Sequence, residues 1–243
     1  MTEPAVEHPV PPRGERTTRH RVVNRLLSLY DQPRYLEVGV CTAHTFDRVT
    51  APIKVAVDPV FEFDHQDPER AVPGVEYHQV TSDAYFGTLV DPDRRFDVIY
   101  LDGLHTVEQT LRDVTNALHH LQPQGVILID DVRPSSHLAA IPDRQRFFEV
   151  RNRLGTTEQD WMGDVFRVVL AIETFFQQLS YATVAENHGQ AVVWRSRRTA
   201  VPERGLAAVG SWSFEDLLLD LGALRITPLP QIVRTLKRDL GLA

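Results

Sequence analysis

Between Arg34 and Leu101 the chain alternates short apolar runs with polar stretches, and the runs have the length and branching of buried strands. RYLEVGV (34–40), IKVAVD (53–58), VEYHQV (75–80) and FDVIYL (96–101) each read as a strand. They are nearly continuous in apolar residues, the mark of parallel strands covered on both faces. Between them the pattern predicts helical segments from about His44 to Val49 and from about Ser82 to Leu89. Ahead of the first strand, Val22, Val23, Leu26, Leu27, Leu29 and Tyr30 form a stripe at helical spacing that Pro33 stops. After the fourth, Val107, Leu111, Val114, Leu118 and Leu121 recur at intervals of 4, 3, 4 and 3 and put one apolar face on a helix. Gln122 to Gly125 make a turn, and GVILI (125–129) is a fifth strand.

The remainder changes character. A helix around Val165 to Leu179 leads to SYATVAE (180–186) and QAVVWRS (190–196), separated only by Asn187, His188 and Gly189. Three residues cannot make a parallel crossover, so these two strands form an antiparallel hairpin. Ser213 can cap a helix running to about Leu221, and QIVRTLKRDL (231–240) is a last amphipathic helix. The expected fold is α/β, a doubly wound, Rossmann-like sheet, mostly parallel with an antiparallel last strand. Residues 1–15, with Pro4, Pro9, Pro11 and Pro12, read as a flexible tail or an arm over a partner subunit, and residues 16–243 as a single domain with a C-terminal helical extension. A homo-oligomer is expected.

Composition narrows the function. The 26 Lys and Arg against 33 Asp and Glu give a net charge of −7, without a basic run of the kind that tracks phosphates, so nucleic acid is not the expected partner. One cysteine, Cys41, permits no intramolecular disulfide or cysteine-rich zinc site and fits a cytoplasmic setting. No apolar run reaches the roughly 18 residues of a membrane span. A small-molecule substrate is the remaining expectation.

The candidate chemistry lies at the strand ends, where open α/β sheets bind ligands. Glu37 and Gly39 end the first strand, and Asp58 ends the second, where a carboxylate commonly accepts from ribose hydroxyls. Asp83 follows the third. Asp58 and Asp83 could equally be turn or cap acids. The loop EVGVCTAH has Cys41 and Ala43 where a glycine-rich phosphate cradle would have glycines, which disfavours a dinucleotide. Asp102 follows the fourth strand, and Asp130 and Asp131 follow the fifth. Acids beyond adjacent strands can converge on one hard divalent cation, Mg2+ by preference, which would bind and acidify an acceptor hydroxyl. Read without a ligand, Asp102-Gly103 is a turn and Asp130-Asp131 a solvated strand exit. His105, three residues beyond Asp102, is the candidate general base, or else a hydrogen-bonding residue at the helix entry.

Residues 17–196, and above all YLDGLHTVEQTLRDVTNALHHLQPQGVILIDDVRP, resemble the class I S-adenosylmethionine-dependent methyltransferases, specifically the small-molecule group that includes macrocin-type sugar O-methyltransferases. The resemblance implies a seven-stranded sheet with an antiparallel last strand, and S-adenosylmethionine as cofactor. Glu37, Gly39 and Thr42 would then line its methionine and ribose end, Asp58 would hold the ribose, and Ser82 and Asp83 would sit near the adenine. Asp102 would serve cofactor, metal and catalysis alike, with Asp130 and Asp131 completing the metal ligands and His105 as base. Trp161, Gly163 and Asp164 resemble a W-x-G-D stretch of related enzymes, a substrate-side wall or a packing element. Residues 133–160, with Arg133, His137, Arg144 and Arg146, are the expected capping region over the acceptor.

The function expected is Mg2+-dependent O-methylation of a small metabolite, a sugar of a glycosylated natural product being one case. The alternatives are metal-independent N-methylation of an amino sugar or other small amine, and a non-catalytic cofactor-binding regulatory subunit.

Overall fold

Eight strands pair in the order β3-β2-β1-β4-β5-β7-β6-β8 in the computed structural model, which describes residues 17–243. They are β1 (Arg34–Val38), β2 (Ile53–Val57), β3 (Val75–His78), β4 (Phe96–Leu101), β5 (Leu121–Ile129), β6 (Leu179–Val184), β7 (Ala191–Arg195) and β8 (Ile226–Thr227). The β1–β5 pairings are parallel, and β7 lies antiparallel between β5 and β6. The expected hairpin is therefore present, and the order reverses between β1 and β4, the place where such sheets bind ligands. The two-residue β8, parallel to β6, adds an eighth strand to the expected seven. The tail expected over residues 1–15 lies outside the described residues.

Among the described residues eight α-helices accompany the sheet: α1 (Arg19–Leu27), α2 (Ser82–Ala84), α3 (Val107–His119), α4 (Arg144–Leu154), α5 (Phe166–Phe175), α6 (Leu206–Ser211), α7 (Phe214–Leu219) and α8 (Leu229–Leu240). Alternate strand residues point to opposite faces. Leu36, Val38, Ile99, Leu101, Ile127 and Ile129 meet Val114 and Ala117 of α3 and Val168, Val169 and Ile172 of α5. Tyr35, Val98, Tyr100, Val126 and Leu128 meet Val22, Val23, Leu26 and Leu27 of α1 and Ile232, Leu236 and Leu240 of α8. Continuing the two-residue period past the strand ends puts Glu37, Asp102 and Asp130 on the α1 side. That parity is what brings α1 to the acids.

Several elements differ from the pattern. The helix expected over His44–Val49 is only a 3-10 turn, Phe46–Arg48. Positive φ at Cys41 (49°) and Ala43 (61°) winds the chain tightly before it. Asn24 then bonds Arg48 O and Thr50 N, while Lys54 Nζ donates to Phe46 O and Val49 O, so side chains satisfy groups a longer helix would have paired. The Ser82–Leu89 segment is one α turn that opens into a π turn over Tyr85–Leu89. Leu121 belongs to β5 and not to the preceding helix. Phe96 pairs with Leu121 and Val98 with Val126, so the expected turn Gln122–Gly125 is a bulge inside the strand. A Cβ on Gly125 would stand 2.8 Å from Leu121 Cδ1 and 3.0 Å from Asp97 O, so glycine lets the bulge rejoin the ladder.

Candidate active site

Gly39 sets the floor of the site. Its φ is +86°, and a Cβ there would fall 1.9 Å from the carbonyl oxygen of Asp102. Only glycine lets the ends of β1 and β4 approach this closely. Glu37, one pleat earlier, is buried and accepts a 2.6 Å hydrogen bond from Tyr35 Oη. Burial raises its carboxyl to about 8, the bond from Tyr35 and the charge of Lys54 opposing and that of Asp102 reinforcing.

The acids of the fourth and fifth strands do converge, around groups the sequence did not single out. Tyr100 Oη donates to Asp130 Oδ2 at 2.7 Å and reaches Asp102 Oδ2 at 3.2 Å. From α1, Arg19 Nε donates to the same Asp130 oxygen and stands 4.0 Å from Asp102, while its Nη2 stands 3.7 Å from Asp131. From the β6–β7 turn, His188 Nε2 lies 3.0 Å from Asp130 Oδ1 and 3.7 Å from Asp131 Oδ1. Asp130 is the most tightly held: although burial alone would raise it, His188, Arg19 and Tyr100 bring its carboxyl well below the usual range. Asp131 is raised to about 7, by burial and then by the charges of Asp130 and Asp102. Asp131 sits on the opposite pleat parity from Asp130, and its left-handed φ of 58° bends the chain at the strand exit. The ligand-bearing atoms therefore fall into two overlapping groups, Asp102–His105–Asp131 and Asp130–Asp131–His188, with Asp131 shared.

His105 is fixed from behind by the W-x-G-D stretch. Its Nδ1 lies 2.8 Å from the carbonyl oxygen of Trp161, an acceptor only, so Nδ1 carries the hydrogen; Nε2 faces Asp102 Oδ1 at 3.4 Å. The Trp161 ring stacks on the imidazole at 5.0 Å and 22°, and its Nε1 donates to Ile141 O. A Cβ on Gly163 (φ +60°) would meet His105 O at 1.7 Å. Asp164 accepts from Val107 N at the first turn of α3 and pairs with Arg167. Burial would lower the His105 pKa, yet Asp102, Asp131 and the Trp161 carbonyl together raise it to about 9. The neighbouring acids thus favour the imidazolium, where the sequence led us to expect a ready base.

The residues expected around the cofactor are placed less uniformly. Asp58 is buried, but its Oδ2 accepts from Val40 N (2.7 Å) and Cys41 N (2.8 Å) and its Oδ1 from Val60 N (2.8 Å). It ties the loop after β1 to the end of β2. Thr42 is exposed on that loop. Ser82 and Asp83 are tied to α3: Gln109 Nε2 lies 3.2 Å from each, and Arg112 pairs with Asp83 at 2.6 Å.

Two cavities involve residues between Ser136 and Met162. The smaller, about 340 Å3, is lined by Arg19, His105, Asp131, Gln159, Asp160, Trp161, Met162 and His188. The larger, about 790 Å3, lies under the capping region, with Leu138, Ile141, Val150, Phe166 and Phe214 among its walls and His137 and Arg146 at its edge. Arg144 lies over the rings of Phe148 and Trp161.

Residues 35–132, which carry the strand ends just described up to Asp130 and Asp131, match the family model described as a methyltransferase domain. Among solved structures, this chain is similar to the O-methyltransferase of Bacillus cereus in complex with S-adenosylhomocysteine (TM-score 0.52, 14% identity, covering 76% of this chain and 83% of that one). It is also similar to a candidate O-methyltransferase of Klebsiella pneumoniae (TM-score 0.50, 15% identity, covering 76% and 83%). At these identities the likeness is one of fold. No curated protein matches the chain in sequence.

Proposed function

We propose that this methyltransferase is an S-adenosylmethionine-dependent O-methyltransferase acting on a hydroxyl of a small metabolite, with a divalent cation held by Asp102, Asp130 and Asp131. Mg2+ is the cation the carboxylates alone would suggest. The observation that carries the reading is the clustering of three strand-end carboxylates around a guanidinium. Arg19 stands in for a cation among them, which is what a cation-seeking donor set does when a side chain can reach it. When bound, the cation would supply Lewis-acid polarisation of the acceptor hydroxyl. The protein's own groups supply the rest. Trp161 and Gly163 fix His105 with Nε2 toward Asp102, so that it can take the hydroxyl proton at Nε2 as the methyl group passes from the sulfonium sulfur to oxygen and leaves S-adenosylhomocysteine. Asp102 and Asp131 raise the pKa of the ring, so the base role requires their charge to be neutralised first. Trp161 walls the smaller cavity, and a separate cavity of about 790 Å3 under the capping region is large enough for a bulky acceptor such as a glycosylated natural product. At the cofactor end, Gly39 allows close backbone approach, and Glu37 and Asp58 supply the carboxylates assigned to the methionine and ribose.

A second reading has its own observation: Arg19 already neutralises part of the cluster, which favours metal-independent transfer to an amine. Incubation of the protein with methyl-tritiated S-adenosylmethionine and panels of hydroxylated sugars, phenols and amino sugars, with Mg2+, with Mn2+ or with EDTA, separates the two. Transfer to hydroxyls that EDTA abolishes supports the first reading; transfer to amines in EDTA replaces it with the second. Binding of S-adenosylmethionine without transfer to any acceptor favours the regulatory-subunit alternative.

A further inference from the structure

The connection from β6 to β7, residues 185–190, is tied down by its own side chains and by the neighbouring strand exit. Asn187 Oδ1 accepts from Gly189 N (3.0 Å) and Gln190 N (3.2 Å), and Asn187 Nδ2 donates to Gln190 Oε1 (2.6 Å). Gly189 O accepts from Val132 N at 3.0 Å, one residue past Asp131. Gly189 itself (φ +126°) packs so closely that a Cβ would meet Arg133 N at 2.7 Å. The turn is therefore locked to the strand exit that carries Asp130 and Asp131. Its one imidazole, His188, points Nε2 at both acids and lines the same cavity as Asp131 and His105.

Asp131 supplies the second observation. It is 3% exposed and lines the cavity, yet its cationic neighbours stand off at 3.2 Å (His105), 3.7 Å (His188) and 3.7 Å (Arg19). A charged hydrogen bond closes to about 2.7–2.9 Å. A buried carboxylate ringed at longer range by two imidazoles and a guanidinium has the spacing of ligands around a shared centre, and the atoms of Asp130, Asp131 and His188 lie within 4.8 Å of one another.

We propose that His188 is a direct ligand of the divalent cation, so that the centre is a mixed imidazole–carboxylate site that selects Mn2+ or a similar first-row dication over Mg2+. The inference rests on the metal-dependent reading above and deepens it. Mg2+ prefers an all-oxygen shell, whereas imidazole nitrogen suits the first-row transition ions, whose affinities for such sites exceed those of the alkaline earths. A ligand on a turn hydrogen-bonded to the neighbouring strand exit is held in place before the ion arrives.

Mn2+ is the probe. Titrated into the full chain and followed by electron paramagnetic resonance, it should bind at one site, with 14N modulation of the bound signal in pulsed spectra. The modulation should persist in His105→Gln and vanish in His188→Gln, with Mn2+ affinity at least tenfold weaker in the latter. Mg2+ should displace half of the bound Mn2+ only at about a hundredfold excess. His188→Asn, which suits a turn and offers an oxygen ligand, guards against misfolding; it should bind Mn2+ without nitrogen modulation and narrow the gap between the two ions. Mn2+ bound without 14N modulation, modulation that disappears with His105 and not with His188, or Mg2+ competing at parity would each overturn the proposal while leaving a metal site standing. If no Mn2+ binds at all, the metal-dependent reading falls and the ligand assignment falls with it.

Discussion

Glu37 offers a test of how far the site departs from what stability alone would select. Its carboxyl is buried beneath the β1 turn and is raised from 4.5 to about 8 in the folded chain. Below pH 4.5 the folded and unfolded states both hold the proton, and the group is neutral in its effect. As pH rises from 4.5 to 8 the unfolded chain releases the proton and the folded chain keeps it, so each pH unit destabilises the fold by about 1.4 kcal/mol. Above pH 8 the effect levels off. Glu37→Gln removes this linkage. Its buried amide carries an extra N–H whose desolvation costs about 1–3 kcal/mol, a cost independent of pH. The variant should therefore be about as stable as the native chain, or slightly less so, at pH 5. By pH 7.5 it should be the more stable of the two, the gap between them having moved by about 3 kcal/mol in its favour. Urea unfolding of both proteins at the two pH values measures the shift with the amide's cost cancelled. A difference that stays constant within about 0.5 kcal/mol would refute the reasoning, since it would mean that Glu37 ionises in the fold as it does in water. S-adenosylhomocysteine binding to the same variant should weaken, because the carboxylate is assigned to the cofactor.

Three other substitutions probe separate links. Gly39→Ala forces a left-handed alanine, about 1–2 kcal/mol, and pushes a Cβ to 1.9 Å from Asp102 O, so it should lose more than about 3 kcal/mol; an unshifted thermal midpoint would contradict the close approach of β1 and β4. Asp58→Ala strands the amides of Val40, Cys41 and Val60 and should lower both stability, by about 2–4 kcal/mol, and S-adenosylhomocysteine affinity; calorimetry that finds affinity unchanged would remove Asp58 from the cofactor site. His105→Gln should leave S-adenosylhomocysteine affinity within twofold while lowering turnover by about a hundredfold, and unchanged turnover would take His105 out of the chemistry.

What the sequence made legible follows from periodicity. Apolar runs located every strand from β1 to β7, and the three residues between SYATVAE (180–186) and QAVVWRS (190–196) were too few for anything but the hairpin that β6 and β7 form. The acids at the ends of β4 and β5 were visible because carboxylates interrupt runs that otherwise want branched apolar residues. The bulge at Gln122–Gly125 was not, since a turn and a strand insertion have the same composition. Nor was the lost helix after β1, where Lys54 and Asn24 act from distant positions. Arg19 meets Asp130 across 111 positions and His188 meets it across 58, contacts that only the assembled sheet creates. Tyr100 alone had a local signal: two residues before Asp102, it shares that residue's face. The acids expected at the cofactor show the converse. Asp58 and Asp83 were identified as candidates by position, and the structure gives both additional structural partners, a loop for one and α3 for the other.

The most direct measurement is isothermal titration of the purified protein with S-adenosylhomocysteine, repeated on Asp58→Asn. The account predicts one site of micromolar affinity in the native chain, weakened at least tenfold in the variant. No binding heat and no thermal stabilisation by the ligand would contradict it, and the strand-end carboxylates would then be a structural charge cluster organised by Arg19.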